Sequence, residues 1–432
     1  MPQGATLYQT AFNEALVYDR DPDTLIVSFS ARLKPAPPVF FGVGAVEKIG
    51  ASAVHIRSMQ NLWYADPDCV ACIKAVRAYI DARRFKRIVT YGFSMGAHGA
   101  LRHAKGLGAT QVVIGAPVAT LNPAVEKRWQ YDYSAISEGW TRKNYDALLG
   151  CRGVPIVVLA DRASRDAVHI NRLEKDAGAV ILSVRYADHA VPKMLKGGGV
   201  LGQITRALMS GSYDLTEIRS TIQKSRKTNK MYLLALARHL QNQPARQERV
   251  LRYAVNACEN APDVVLAAAG LRAKRGDFDM AARDILGVFN ARDGLRINPA
   301  LGQAIAEFCE AGGKPEAVAP VADAFAKDTK RSREAHLWHA RYLRFTGQYQ
   351  AALAVHDRFM GKDEFSAHAY FERGQVCELL GDYAAARDAY VAAAGLNPNL
   401  PRAARALKNL TVKHPVWALK TRMMDRLCKR PV

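Results

Sequence analysis

Residues 92–96, Gly92-Phe93-Ser94-Met95-Gly96, decide the fold through the sequence on either side of them. The β-branched run 87–91 comes directly before them and predicts a buried strand, while 97–104 follows and predicts a helix. A Gly-x-Ser-x-Gly turn from strand to helix is sharp, so the positions that flank its serine must be small. Because such a turn presents the serine at the edge of the sheet, Ser94 is the candidate nucleophile.

Three further apolar runs predict parallel strands with polar groups after their carboxyl ends. These runs are 111–117, 154–160 and 179–184. Asp161 and Asp166 lie in the loop after the second run, and His189 lies in the loop after the third. Since the carboxyl ends of parallel strands meet at one edge of a sheet, we expect an acid and an imidazole to lie near Ser94.

These residue types suit nucleophilic catalysis. A serine hydroxyl is a weak nucleophile at neutral pH and needs an adjacent base, which an imidazole supplies. A carboxylate behind the ring fixes its tautomer. We assign Ser94 as nucleophile, His189 as general base and Asp166 as the acid, with Asp161 as the alternative acid. His98, one helical turn after Ser94, would break the order serine, acid, histidine, so we interpret it as a helix-face residue that lines the pocket.

An oxyanion site needs two backbone donors. The residue after the serine, Met95, offers one amide, and Ala31 in the loop after the predicted strand 24–31 offers the other. The candidate pocket residues are Ser30, Phe93, Tyr64 and His98. Tyr64 also fits a second interpretation, as a loop aromatic that covers the core. A short lid is expected near 122–150, and it contains Arg128, Trp129, Tyr131 and Tyr133.

The second half of the chain has a regular glycine spacing. Four glycines recur at intervals of 36, 35 and 34 residues, and each is followed five residues later by an alanine: Gly276, Gly312, Gly347 and Gly381. This period resembles tetratricopeptide repeats, which are about 34 residues long and stack as pairs of helices. In the last repeat, Gly374 and Ala386 allow a close helix approach, Tyr383 and Tyr390 fill the gap to the neighbour, and Pro398 ends the second helix.

Charge and composition limit the possible partners. The formal net charge is +21, and both halves are basic: residues 1–210 hold 26 Lys and Arg against 17 Asp and Glu, and residues 211–432 hold 35 against 23. This field favours acidic polymers or membrane surfaces as partners, although no nucleic-acid module is recognised. Seven scattered cysteines and the lack of an apolar leader predict a cytoplasmic protein without a disulfide framework. Neither a metal nor a cofactor is expected.

Residues 92–96, the Asp161/Asp166 loop and His189 together resemble the serine α/β-hydrolases. More loosely, Asn61-Leu62-Trp63-Tyr64 and Ile114-Gly115-Ala116-Pro117 are similar to bacterial hydrolase-like domains of surface-glycan systems, including accessory-secretion acetyltransferases. The first resemblance implies a mostly parallel sheet flanked by helices. It also implies an esterase or acyltransferase that forms an acyl-enzyme. The looser resemblance points to small or glycan-linked acyl esters as substrates.

The predicted organisation has four parts. They are an α/β-hydrolase-like domain at 1–210, a linker with a degenerate helical pair at 211–261, an all-α solenoid of tetratricopeptide-like repeats at 262–400, and a capping helix at 401–432. Such a solenoid would bind a protein or peptide partner. The alternative hypothesis is an inactive hydrolase-fold scaffold whose function is carried by the repeats.

Overall fold

The computed structural model describes residues 4–32, 42–129, 132, 137–138, 142–291, 299–328, 333–360, 366–396 and 400–415. The chain forms two compact units, Met1–Val250 and Leu251–Val432. The predicted division into four parts stays a prediction.

The first unit contains an eight-stranded sheet. Its strands are β1 (Ala5–Gln9), β2 (Asn13–Tyr18), β3 (Thr24–Phe29), β4 (Ser52–Ser58), β5 (Arg87–Ser94), β6 (Gln111–Pro117), β7 (Ile156–Ala160) and β8 (Val180–Ser183). The strand order is β1-β2-β4-β3-β5-β6-β7-β8. β2 pairs antiparallel with both of its neighbours, and all the other pairs are parallel. The predicted mostly parallel sheet is thus confirmed.

Helices flank this sheet. They are α1 (Val43–Ile49), α2 (Pro67–Arg83), α3 (Met95–Leu107), α4 (Arg142–Tyr145), α5 (Ala167–Ala177), α6 (Val191–Gly197), α7 (Leu201–Ser210), α8 (Leu215–Ser225) and α9 (Lys230–His239), while α10 (Pro244–Ala257) runs across the boundary between the units. A 3₁₀ turn covers Ala147–Gly150. None of the helices within the described ranges is long and apolar enough to cross a lipid bilayer.

Both faces of the sheet are buried, as the continuous apolar runs of its central strands require. On β3, Leu25, Val27 and Phe29 belong to one core, and Ile26 belongs to the other. On β5, Ile88 lies in the first core, whereas Val89 and Phe93 lie in the second. This burial holds the carboxyl end of β5, and therefore Ser94, in a fixed position between two packed layers.

The second unit is helical throughout its described residues. Its helices are α11 (Pro262–Lys274), α12 (Phe278–Asn290), α13 (Pro299–Glu310), α14 (Ala319–Asp328), α15 (Arg333–Phe345), α16 (Tyr349–Met360), α17 (Ala367–Leu379), α18 (Tyr383–Leu396) and α19 (Pro401–Lys413). A short 3₁₀ turn, Pro315–Val318, precedes α14. Several pairs of consecutive helices pack against each other, most extensively α11 on α12, α15 on α16 and α17 on α18.

The repeat positions have clear local roles in these helices. Gly276, Gly347 and Gly381 have positive φ angles of 90°, 76° and 79°, and each lies in the turn between two packed helices. A Cβ on Gly374 would lie 2.6 Å from the Tyr390 ring, so the small residue permits the contact between α17 and α18. Pro398 falls outside the described residues.

Candidate active site

Ser94 has an unusual backbone conformation. It is the last residue of β5, directly before α3, with φ +55° and ψ −119°. These angles are those of the second residue of a type II′ turn, a position that glycine dominates because φ is positive there. A serine in this conformation is strained, and backbone strain of this kind clusters at functional sites.

The two flanking glycines make the sharp turn possible. A Cβ on Gly92 would lie 2.2 Å from the carbonyl oxygen of Gly96, and a Cβ on Gly96 would lie 2.2 Å from the carbonyl oxygen of Phe29. Neither position can hold a side chain without movement of the backbone. The second contact also brings the end of β3, and the loop that follows it, directly against the start of α3.

The structure brings Ser94, His189 and Asp166 together. His189 Nε2 lies 2.8 Å from Ser94 Oγ, and His189 Nδ1 lies 2.7 Å from Asp166 Oδ2. Because an ionised carboxylate only accepts hydrogen bonds, Nδ1 carries the ring proton and Nε2 is left to accept the Ser94 hydroxyl proton. We call these three residues the candidate triad. Ser94 ends β5, Asp166 lies in the loop after β7, and His189 lies in the loop after β8. These are the strands that the sequence indicates.

Asp166 is buried, with 1% of its surface exposed. Its second oxygen, Oδ1, accepts a hydrogen bond of 2.9 Å from Arg128 Nη2. Burial alone raises the pKa of this carboxyl, but the hydrogen bonds and positive charges of His189 and Arg128 outweigh it and hold the pKa below its usual value. Asp166 is therefore ionised at neutral pH and accepts from His189 as the triad requires.

The alternative acid, Asp161, has a different environment. Its Oδ1 accepts from the Ala163 amide at 3.1 Å, and its Oδ2 accepts from the Asp188 amide at 3.1 Å. Asp188 itself is paired with Arg165 and does not face the candidate triad. Asp161 thus connects the loop after β7 to the loop that carries His189, and the structure gives the contact with His189 to Asp166 instead.

His98 is fully buried in α3. Its Nδ1 lies 2.9 Å from the carbonyl oxygen of Val118, so this nitrogen donates, and its ring meets Trp63 edge-on. Burial, followed by the charge of Arg102, lowers the pKa of His98 to about 3, so the ring is neutral. His98 makes no contact with Ser94 of the kind that His189 makes.

The other candidate pocket residues are mostly interior. Phe93 is 2% exposed and Ser30 is 3% exposed, and Tyr64 is fully buried. The Tyr64 hydroxyl donates to the carbonyl oxygen of Ser30 at 2.8 Å. Phe93 points into the core because alternate residues of β5 face opposite sides of the sheet. Phe93 and Tyr64 pack in the two cores of the sheet, and Ser30 is buried beside Tyr64. Their assignment to the pocket stays a prediction.

The two candidate oxyanion donors, Met95 and Ala31, both lie in segments that adjoin Ser94, and their role stays a prediction. Met95 is the first residue of α3, where backbone amides are free of intrahelical partners. Ala31 follows Ser30 in the loop after β3. The contact between Gly96 and Phe29 holds this loop against the turn at residues 92–96, which we call the elbow. Tyr64 anchors the same loop through the Ser30 carbonyl.

Three contributors to the site have no sequence motif. Glu126 and His169 form a second buried pair, with His169 Nε2 at 3.1 Å from Glu126 Oε2. Trp129 lies with its ring centroid 5.7 Å from that of His189 and 5.6 Å from that of Trp63. The sequence indicates this segment only as a polar, aromatic-containing lid. Tyr131 and Tyr133 fall outside the described residues.

No protein-family model matches the chain, and no curated protein sequence matches it. Solved structures match parts of it at low identity. Capsule O-acetyltransferase of Neisseria meningitidis serogroup A is 15% identical with a TM-score of 0.35, and the match covers 45% of this chain and 93% of that one. An α/β serine hydrolase without lid from Xanthomonas campestris is 15% identical with a TM-score of 0.30, over 52% of this chain and 92% of that one.

A tetratricopeptide repeat protein from Parabacteroides merdae is also similar, with 14% identity and a TM-score of 0.36, and the match covers 57% of this chain and 90% of that one. All three TM-scores are low. The candidate site therefore stands on its own geometry.

Proposed function

We propose that the first unit is a serine hydrolase or acyltransferase that works through an acyl-enzyme on Ser94. The observation that carries this proposal is the continuous chain of hydrogen bonds from Ser94 Oγ through His189 to Asp166, at 2.8 and 2.7 Å. A strained serine at the end of a central strand is a second support, because backbone strain of this kind clusters at functional sites.

The reaction follows from the positions of the protons. Ser94 Oγ attacks the acyl carbonyl carbon while its proton passes to His189 Nε2, and the carbonyl oxygen becomes an oxyanion. Asp166 stabilises the imidazolium through Nδ1. The oxyanion collapses, the bond to the leaving group breaks, and His189 returns its proton to that group. The amides of Met95 and Ala31 are the proposed donors to the oxyanion.

The second half of the reaction determines the class of enzyme. His189 takes a proton from an incoming nucleophile, which attacks the acyl-enzyme carbonyl. The resulting oxyanion collapses, the bond to Ser94 Oγ breaks, and His189 returns the proton to Oγ. Water gives an esterase, and a hydroxyl of a sugar or another alcohol gives an acyltransferase. Small or glycan-linked acyl esters are the proposed substrates, and no cofactor is needed for this chemistry.

Labelling by a fluorophosphonate probe tests this proposal directly, because the probe reacts with activated serines. We expect a single adduct on Ser94 in the full chain and none in Ser94→Ala. Ser210→Ala, which removes an exposed hydroxyl from the end of α7, is the matched control and should label like the parent protein. A folded parent protein without an adduct would reject the enzyme and favour the scaffold hypothesis.

For the second unit, we propose a tetratricopeptide-like solenoid that binds a protein or peptide partner. The glycine turns between packed helices and the close approach at Gly374 support it. The basic charge makes an acidic partner the natural first choice, and such binding should weaken steeply with added salt.

A further inference from the structure

Behind the candidate triad lies a cluster of polar side chains that the proposed reaction does not use: Glu126, Arg128 and His169. Arg128 is the centre of this cluster. Its Nη2 donates to Asp166 Oδ1 at 2.9 Å, and its Nε lies 2.9 Å from each oxygen of Glu126. The same Nη2 also contacts Glu126 Oε2. One planar guanidinium is thus shared between two buried carboxylates, an arrangement for which the arginine fork is suited.

The cluster is anchored at its far end. Glu126 is 3% exposed and accepts from His169, which is fully buried on α5. His169 Nδ1 in turn accepts from the Ala119 amide at 3.3 Å, just beyond β6, so Nε2 carries the proton that is donated to Glu126. Arg128 is therefore held by groups fixed to both β6 and α5, and its position does not depend on Asp166 alone.

The consequence for Asp166 is geometric. Its Oδ2 accepts from His189 and its Oδ1 accepts from Arg128, so rotation of the carboxylate would break one bond or the other. Electrostatics acts in the same direction, since burial raises the pKa of Asp166 while His189 and Arg128 lower it. Arg128 also lies beside Glu126, the other charged group of the cluster. If Arg128 were absent, the negative charge of Glu126 would disfavour the ionised form of Asp166.

We propose that Arg128 is a positioning residue: it fixes the orientation and the charge of Asp166, and through Asp166 the ring of His189. This inference rests on the proposed function, since it assigns Arg128 a role in the same reaction. Arg128 lies next to Trp129, whose ring faces His189, so the segment that walls the site also holds the acid of the candidate triad.

The test compares Arg128→Met with the double variant Glu126→Gln/Arg128→Met in the full chain. The double variant removes the unbalanced buried carboxylate and so guards against a simple loss of folding. Arg162→Met is the matched control, because Arg162 is in the loop after β7 but pairs with the exposed Glu174 at 2.6 Å. The readouts are the fluorophosphonate labelling rate as a function of pH and the downfield proton resonance of His189 Nδ1–H, assigned by its loss in His189→Asn.

We expect Arg128→Met to lower the plateau labelling rate about tenfold to a hundredfold, as for other small misplacements of catalytic groups. Its acid limb should move to higher pH, because loss of the guanidinium charge favours proton binding by the coupled Asp166–His189 pair, and the downfield resonance should weaken. In the double variant the acid limb should return toward that of the parent, since Glu126 no longer repels Asp166, while the plateau stays low. Arg162→Met should match the parent.

The proposal is overturned if Arg128→Met behaves as Arg162→Met, or if the double variant recovers the plateau rate as well as the acid limb. The second outcome would mean that Arg128 only neutralises Glu126. If the parent protein fails to label, the proposed function is rejected, and the resonance decides this inference separately. An unchanged resonance in Arg128→Met would then reject it too.

Discussion

The strained conformation of Ser94 predicts a difference in stability between two variants that both lack the hydroxyl. Both Ser94→Ala and Ser94→Gly remove the hydroxyl and its hydrogen bond to His189. Alanine keeps the penalty of a positive φ, whereas glycine adopts φ +55° and ψ −119° without steric cost. The difference between the two variants therefore isolates the backbone strain at the elbow.

The size of this difference can be worked out. A residue other than glycine in such a sparsely populated region costs about 1–3 kcal/mol. Glycine loses more conformational entropy on folding than alanine does, which offsets about 0.4–1 kcal/mol of that gain. We therefore expect Ser94→Gly to be more stable than Ser94→Ala by about 1 kcal/mol. The hydrogen bond lost in both variants, about 0.5–1.5 kcal/mol, cancels in the comparison.

Native-state hydrogen exchange followed by mass spectrometry is the suitable assay, because it reports on peptides from β5 and α3 separately from the helical unit. A single unfolding transition of the whole chain would mix two units. Slower exchange in Ser94→Gly than in Ser94→Ala is the expected result, and neither variant should react with the fluorophosphonate. Equal or faster exchange in Ser94→Gly would refute the argument that Ser94 is strained.

Three other predictions follow from particular contacts. Gly96→Ala should destabilise the first unit by about 3 kcal/mol in the same hydrogen-exchange assay, because its Cβ would lie 2.2 Å from the Phe29 carbonyl oxygen. Gly106→Ala in the same helix, with nothing within 4 Å, should instead stabilise it by about 0.5–1 kcal/mol; a similar loss in both would contradict the contact. Asp166→Asn should lower the labelling rate by about 10⁴-fold, because an amide favours the wrong tautomer of His189. Asp161→Asn should keep the rate within a few fold, and the reverse order would exchange the two roles.

The third of these predictions concerns Glu126→Gln, whose effect on the stability of the first unit should depend on pH when it is measured by hydrogen exchange at increasing urea concentration. Burial raises the pKa of Glu126, but His169 and Arg128 lower it to about 2. A depressed folded pKa stabilises the protein above the unfolded value near 4.3 and stops doing so as the pH falls toward 2. The expected loss is about 3 kcal/mol at pH 7 and shrinks toward zero near pH 2, whereas a loss independent of pH would exclude this origin.

The elbow and the strands around it were predictable because their signals are local. Residues 92–96 need glycine for steric reasons, and the buried strands β5 to β8 are continuous apolar runs. β1 and β2 lack this signal: β2 alternates buried and half-buried residues, and its antiparallel pairing depends on strands far along the chain. Loop position indicates Asp166 as the acid with Asp161 as the alternative. The side-chain contacts show which of these two residues lies against His189.

The pocket residues show the limit of positional reasoning. Phe93 is next to Ser94 in the chain, and Tyr64 lies in the loop after β4. Position in the chain does not tell which way either side chain points. The contact between Arg128 and Asp166 could not be predicted from the sequence either, because the two residues are 38 positions apart and neither belongs to a motif. The contact depends on tertiary packing, which brings the segment after β6 beside the loop after β7.

The order of the strands has an evolutionary consequence. β6 lies between the strand of Ser94 and the strand that leads to Asp166, so the connection after β6 starts between these two residues. Exchange or lengthening of that connection is an economical way for a lineage to acquire a new substrate. Arg128 belongs to this connection. If the proposed role of Arg128 holds, replacement of the connection without this arginine would change selectivity and reactivity together, so a replacement that keeps activity must retain the arginine.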